Sequence, residues 1–140
     1  MPLYLNDDQT MLRDTAKDFI ASEAPIAHMR ALRDADDTAG FSRTLWKQFA
    51  EMGFAGILIP EADGGLGLGH LEALLVLEQF AMISPAVAWP IFESATGPVR
   101  TVQHFASDTL KDRILPEVIQ GDKIVAVSMS EPSAGTALTD

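Results

Sequence analysis

Apolar residues recur at helical spacing in almost every segment between residues 6 and 121, and only one run, Ile124 to Ser130, changes to a short β-branched pattern. That imbalance constrains the fold more than any other feature. Helices can share a core with one another, but a lone strand leaves its backbone N–H and C=O groups without partners. The expectation is an all-α fold: a helical bundle over residues 1–121, followed by residues 122–140 as the start of a β domain with a truncated β strand.

The helical segments can be placed from caps and breakers. Asn6 is a helix cap with Gln9 three positions on, a capping-box spacing, and Leu12, Ala16, Phe19 and Ile20 then share one face of a helix running to about Glu23, ahead of Pro25. A more polar helix carries Ile26, Met29 and Leu32 and ends before Gly40. Ser42 opens a third, with Leu45, Trp46, Phe49 and Met52 on its apolar face and Gly53 as a left-handed cap. The stretch from Gly53 to Gly69 has no helical period and reads as an extended connector ending in a flexible glycine-rich loop. From His70 to Ile83 the helix is apolar on most sides, which marks a central one. An apolar connector through Trp89-Pro90 is expected next, then a helix from about Glu93 to Phe105 with a break at Gly97-Pro98. Ser107 caps a last segment, where Pro116 divides two short helices before Gly121 ends the helical part.

A chain of 140 residues and 15.1 kDa is long enough to bury a core without staples. It contains no cysteine, which excludes disulfides, thiolate catalysis, thiolate zinc sites and iron–sulfur clusters. Ten basic residues against twenty acidic ones give a net charge of −10, and the basic residues are scattered among acids. Nucleic acid and anionic membranes are therefore poor partners. The longest apolar stretches, such as Phe54 to Pro60, are too short for membrane insertion, and the first residues lack the pattern of a signal peptide, so the cytoplasm is the expected location.

Few residues are equipped for chemistry. Gly64-Gly65-Leu66-Gly67-Leu68-Gly69 follows an apolar run and precedes a helix, but His70 or Glu72 stands where a dinucleotide fingerprint needs its third glycine. A tight connector between packed helices explains it better. His28, His70 and His104 share no metal-ligand spacing, and the acid pairs Asp7-Asp8 and Asp36-Asp37 are explained by a helix start and a solvated loop. The segment from Ser128 to Thr136 stands apart. Three serines and a threonine, with a stiffening proline and a glycine, form a loop rich in small hydrogen-bond donors at the end of a strand, suited to a planar heteroaromatic ligand or a phosphate.

Taken in order, these landmarks resemble the flavin-dependent acyl-CoA dehydrogenases over essentially the whole chain. The match runs from Asn6-Asp7-Asp8-Gln9 through Leu45-Trp46 and Met52-Gly53-Phe54 to Ile59-Pro60-Glu61 and Gly64-Gly65-Leu66-Gly67. It continues from Leu110-Lys111 to Gly121 and ends on Ser130-Glu131-Pro132-Ser133-Ala134-Gly135-Thr136, which is similar to the family's flavin loop. The resemblance implies FAD as cofactor, Val127 and Met129 packing near the isoalloxazine, and Ser130 donating to its pyrimidine edge. It also implies that Gly135 and Thr136 approach the pyrophosphate and the acyl-CoA substrate. Val127 stands where the family commonly has an aromatic residue, and Ala137 where it usually has Asp.

The implied reaction is α,β-desaturation of an acyl-CoA thioester. Its carboxylate base belongs to the family's C-terminal helical domain, so no residue here is assigned as catalytic and the chain alone is expected to be inactive. The helices around Glu93 to Gln103 would border the acyl tunnel. An electron-transfer flavoprotein is the implied electron acceptor, and a homo-oligomer, dimer or tetramer, the implied assembly. The competing expectations are a stand-alone acidic helical interaction module and a non-catalytic partner subunit of a dehydrogenase complex.

Overall fold

A computed structural model describes residues 4–35, 38–130, 132, 133 and 135. Seven α-helices carry the described chain: α1 (Asp7–Glu23), α2 (Ile26–Asp34), α3 (Arg43–Glu51), α4 (His70–Ile83), α5 (Pro85–Ile91), α6 (Pro98–Phe105) and α7 (Asp108–Ile119). The all-α bundle is therefore the observed fold. The capping box forms as the spacing requires: Gln9 N donates to Asn6 Oδ1 at 2.8 Å, and Asn6 N donates to Gln9 Oε1 at 3.1 Å. Ser42 Oγ accepts from Leu45 N at 3.1 Å, and Gly53 follows α3 with φ +81.

The core is aromatic. α1 lies along α4 and brings Phe19 to Phe80, with 5.9 Å between ring centroids, while α3 adds Trp46 and Phe49. Phe54 completes the group against Phe19, Phe49 and Phe80. A second cluster of Ile59, Val99, Leu115 and Val118 joins the stretch after α3 to α6 and α7.

One polar contact ties the starts of α1 and α4 together. Gln9 Nε2 donates to Glu72 Oε1 at 2.8 Å, and Gly69 N donates to Glu72 Oε2 at 3.1 Å. The Gln9 amide is the largest cause holding the Glu72 carboxyl below its usual range, with backbone donors adding to it. A carboxyl lowered in the folded state contributes stability above its unfolded pKa, and that contribution disappears as pH falls through the folded value. Gln9→Ala should accordingly raise the Glu72 pKa toward an ordinary glutamate, as read by a side-chain NMR titration of both proteins.

Four expectations are corrected. Residues 53–69 are neither extended nor loose: 3₁₀ turns form at Phe54–Gly56 and Glu61–Asp63, and Leu66 N, Gly67 N and Leu68 N donate back to the carbonyls of Gly56, Ile59 and Ile57. The Trp89-Pro90 stretch is helical, because Pro85 occupies the first turn of α5 and Pro90 removes a single N–H. α7 runs straight through Pro116. Both Pro116 and Asp112, whose carbonyl Pro116 cannot serve, are exposed, so solvent can satisfy that carbonyl. Finally, Ile124 to Ser130 forms no strand, since no extended segment among the described residues pairs with it in a ladder.

The break at Gly97-Pro98 is real and takes a specific form. Residues Phe92–Thr96 widen into a π-helical turn between α5 and α6. Pro98 has no N–H to offer the Ser94 carbonyl, so the α-helical ladder cannot run through this point.

Candidate functional site

The segment after α7 is fixed at its root and exposed over Ala126 to Ser130. Asp122 N and Lys123 N both donate to Glu117 O, at 2.8 and 3.0 Å, and Lys123 pairs with the Glu117 carboxylate. Lys47 Nζ reaches Asp122 Oδ1 at 2.6 Å, tying the same root to α3. Ile124 then packs on the aromatic core and Val125 on the second cluster. Val125 N donates to Ser94 Oγ at 3.2 Å. Ala126 to Ser130 are all exposed.

Of the residues assigned from sequence, Val127 and Met129 are 52% and 56% exposed, and Ser130 is exposed beside them in the chain. Two bulky apolar side chains left in water within three residues mark a surface suited to being covered by a ligand or another part of a protein. Gly135 has φ +58, and a Cβ built there would meet nothing within 4 Å, so the backbone is open to close approach. Thr136 and Ala137 lie outside the described residues. The structure thus keeps Val127, Met129 and Ser130 together on one exposed stretch.

Two further residues, Arg100 and Ser94, make tertiary contacts that sequence reasoning did not assign. Arg100 Nη1 donates to Leu58 O at 2.8 Å and to Gln103 Oε1 at 3.0 Å, while Gln103 Nε2 donates to Asp63 Oδ2 at 3.3 Å. This chain of contacts locks α6 onto the turns after α3. Ser94 is fully buried.

Among the described residues, no group of three or more His, Asp or Glu side chains could hold a metal, and no helix is long and apolar enough to cross a membrane. An apolar space of about 90 Å³ between α2, α3, α4 and α5 is lined by none of the residues assigned to the flavin.

The profile of the acyl-CoA dehydrogenase N-terminal domain matches residues 6–122. Mitochondrial isovaleryl-CoA dehydrogenase of Bos taurus is 35% identical over 135 residues, which are 94% of this chain and 30% of that enzyme. An acyl-CoA dehydrogenase complexed with FAD from Bacillus anthracis superposes with a TM-score of 0.83 at 26% identity, over 98% of this chain and 23% of that one. A chain from the structure of the electron transferring flavoprotein of Acidaminococcus fermentans has the same TM-score at 27% identity, over 99% of this chain and 35% of that one. The chain therefore spans about a third or less of the length of these relatives.

Proposed function

Because this chain belongs to the acyl-CoA dehydrogenase family through its N-terminal domain, we propose that it is the helical N-terminal portion of a flavin-dependent dehydrogenase that desaturates an acyl-CoA thioester between its α and β carbons. The observation that carries this reading is the exposed, unpaired stretch Ala126 to Ser130, held directly after a helical bundle that matches the family over residues 6–122. In this reading residues 1–121 form the helical domain, and residues 122–140 begin the β domain that completes the flavin site.

The exposed residues fit FAD. Val127 and Met129 offer an apolar surface to a planar ring, Ser130 offers a hydroxyl donor, and Gly135 leaves open space where a phosphate could approach the backbone. Bound there, FAD would supply the hydride acceptor of the reaction. The chain's own part is to bind and orient. Val127 and Met129 would exclude water from one side of the ring, and the Ser130 hydroxyl would donate to its pyrimidine edge. Gly135 and Thr136 would approach the pyrophosphate and the acyl-CoA. The base that removes the α-proton lies outside these residues, so the isolated chain is expected to be inactive.

An electron-transfer flavoprotein is the proposed acceptor, a homo-oligomer the proposed assembly and the cytoplasm the proposed compartment. The bovine relative is mitochondrial, so cell fractionation decides the last point.

The test is a chimera in which residues 6–140 replace the corresponding segment of bovine isovaleryl-CoA dehydrogenase. It should purify with about one FAD per chain. A folded chimera that excludes FAD, while the bovine enzyme retains it under the same conditions, would show that this segment does not complete a flavin site.

A further inference from the structure

The π-helical turn carries a buried hydroxyl that bonds outside its own helix. Ser94 lies within Phe92–Thr96 and has no exposed surface, yet its Oγ accepts a hydrogen bond from Val125 N at 3.2 Å, 31 residues away in the chain. A serine buried in a helix more often bonds to its own helix backbone. Here the neighbouring Thr96 does that, donating from Oγ1 to Phe92 O at 2.8 Å, while Ser94 reaches across to another segment. Short π turns often mark functional sites because they re-aim side chains.

The position of this bond matters more than its strength. Val125 is the last residue before the exposed stretch with a side chain packed in a core cluster, and no hydrogen bond from a residue of Ala126 to Ser130 is found among the described residues. Val125 is thus the point at which the exposed stretch Ala126 to Ser130 leaves the core. On the other side, Ser94 is part of the helical stretch that carries the exposed pair Trp89 and Phe92, whose rings are 5.7 Å apart.

We propose that Ser94 is a positioning residue that clamps the flavin-facing stretch to the helical stretch beside the acyl chain, and so sets the separation between the two reacting partners. The inference rests on the flavin reading above. Reaction between bound partners is sensitive to displacements of about 1 Å, which can cost on the order of a hundredfold in rate. The clamp is therefore expected to appear in kcat rather than in KM.

Two measurements separate the clamp from the flavin reading. In the 140-residue chain, Ser94→Ala should speed hydrogen exchange at the Val125 amide at least tenfold while the amides of α1 and α4 keep their protection. Val125→Pro removes the donor without touching the buried serine, so it tests the same bond if Ser94→Ala does not fold. In the FAD-loaded chimera, either substitution should lower kcat by about tenfold or more with KM within about twofold, and the double variant should be no worse than the slower single one. Unchanged exchange at Val125 in Ser94→Ala, or unchanged kcat in FAD-loaded variants, would overturn the proposal. A chimera without FAD would instead count against the flavin reading, and the exchange result would still decide whether the clamp exists.

Discussion

Gly65→Ala should cost the chain more than about 3 kcal/mol, seen as a large drop in its urea midpoint with an unchanged slope. A Cβ at this glycine would sit 2.2 Å from Ile59 O, 2.5 Å from Ile59 Cβ and 2.6 Å from Gly56 O. Two of these three atoms are backbone, so no rotamer change relieves the overlap. The turn would have to open, and with it the bonds from Leu66 N, Gly67 N and Leu68 N that hold residues 56–59 in place. Gly64→Ala is the control. That residue has φ +86, but only Ile119 Cδ1 lies near, at 3.8 Å, so the cost should be the roughly 1–2 kcal/mol of a strained left-handed residue. Equal losses at the two positions would mean that conformational freedom, and not close approach, explains the glycine pair.

Phe80→Ala should remove about 3–5 kcal/mol. Phe80 is 1% exposed and meets the rings of Phe19, Phe49 and Phe54 at centroid distances of 5.9, 5.4 and 6.2 Å. Deleting it leaves a cavity among rings carried by α1, α3 and the turn at Phe54, none of which can close in without moving a helix. A domain of ordinary stability has about 5–15 kcal/mol in total, so the variant should be partly unfolded at 37 °C by circular dichroism. A loss below about 1 kcal/mol would show that the aromatic group is not the centre of the fold.

Local rules made the bundle legible. Asn6 and Gln9 form their box because both partners lie within one helical turn, and Gly53 follows α3 because a left-handed residue is the simplest way off a helix. The helical faces of α1, α3 and α4 could be read because each repeats with a period set by its own geometry. What escaped was decided by distant contacts. Residues 54–68 carry no period, since their backbone bonds run back across a chain reversal. Pro116 was expected to divide a helix, but its missing donor falls on an exposed side, where the loss is small.

The site was legible for a different reason. Val127, Met129, Ser130, Gly135 and Thr136 stand out through motif resemblance, while the structure contributes the exposure of Val127, Met129, Ser130 and Gly135 and the anchoring of the chain at Val125. A strand was expected over Ile124 to Ser130 because β-branched residues favour one, yet propensity cannot supply the neighbouring strand that pairing requires. Ser94 could not be found from sequence at all. A single serine in a helical stretch has no periodic or motif signature, and its partner Val125 lies 31 residues away.

As proposed, this chain provides the helical domain and the flavin-facing stretch of an acyl-CoA dehydrogenase. Anaerobic addition of isovaleryl-CoA to the FAD-loaded chimera tests it most directly, with flavin absorbance as the readout. The visible flavin band should bleach on mixing with about one equivalent of substrate. A folded chimera that holds FAD but keeps its full absorbance in excess isovaleryl-CoA would contradict the account.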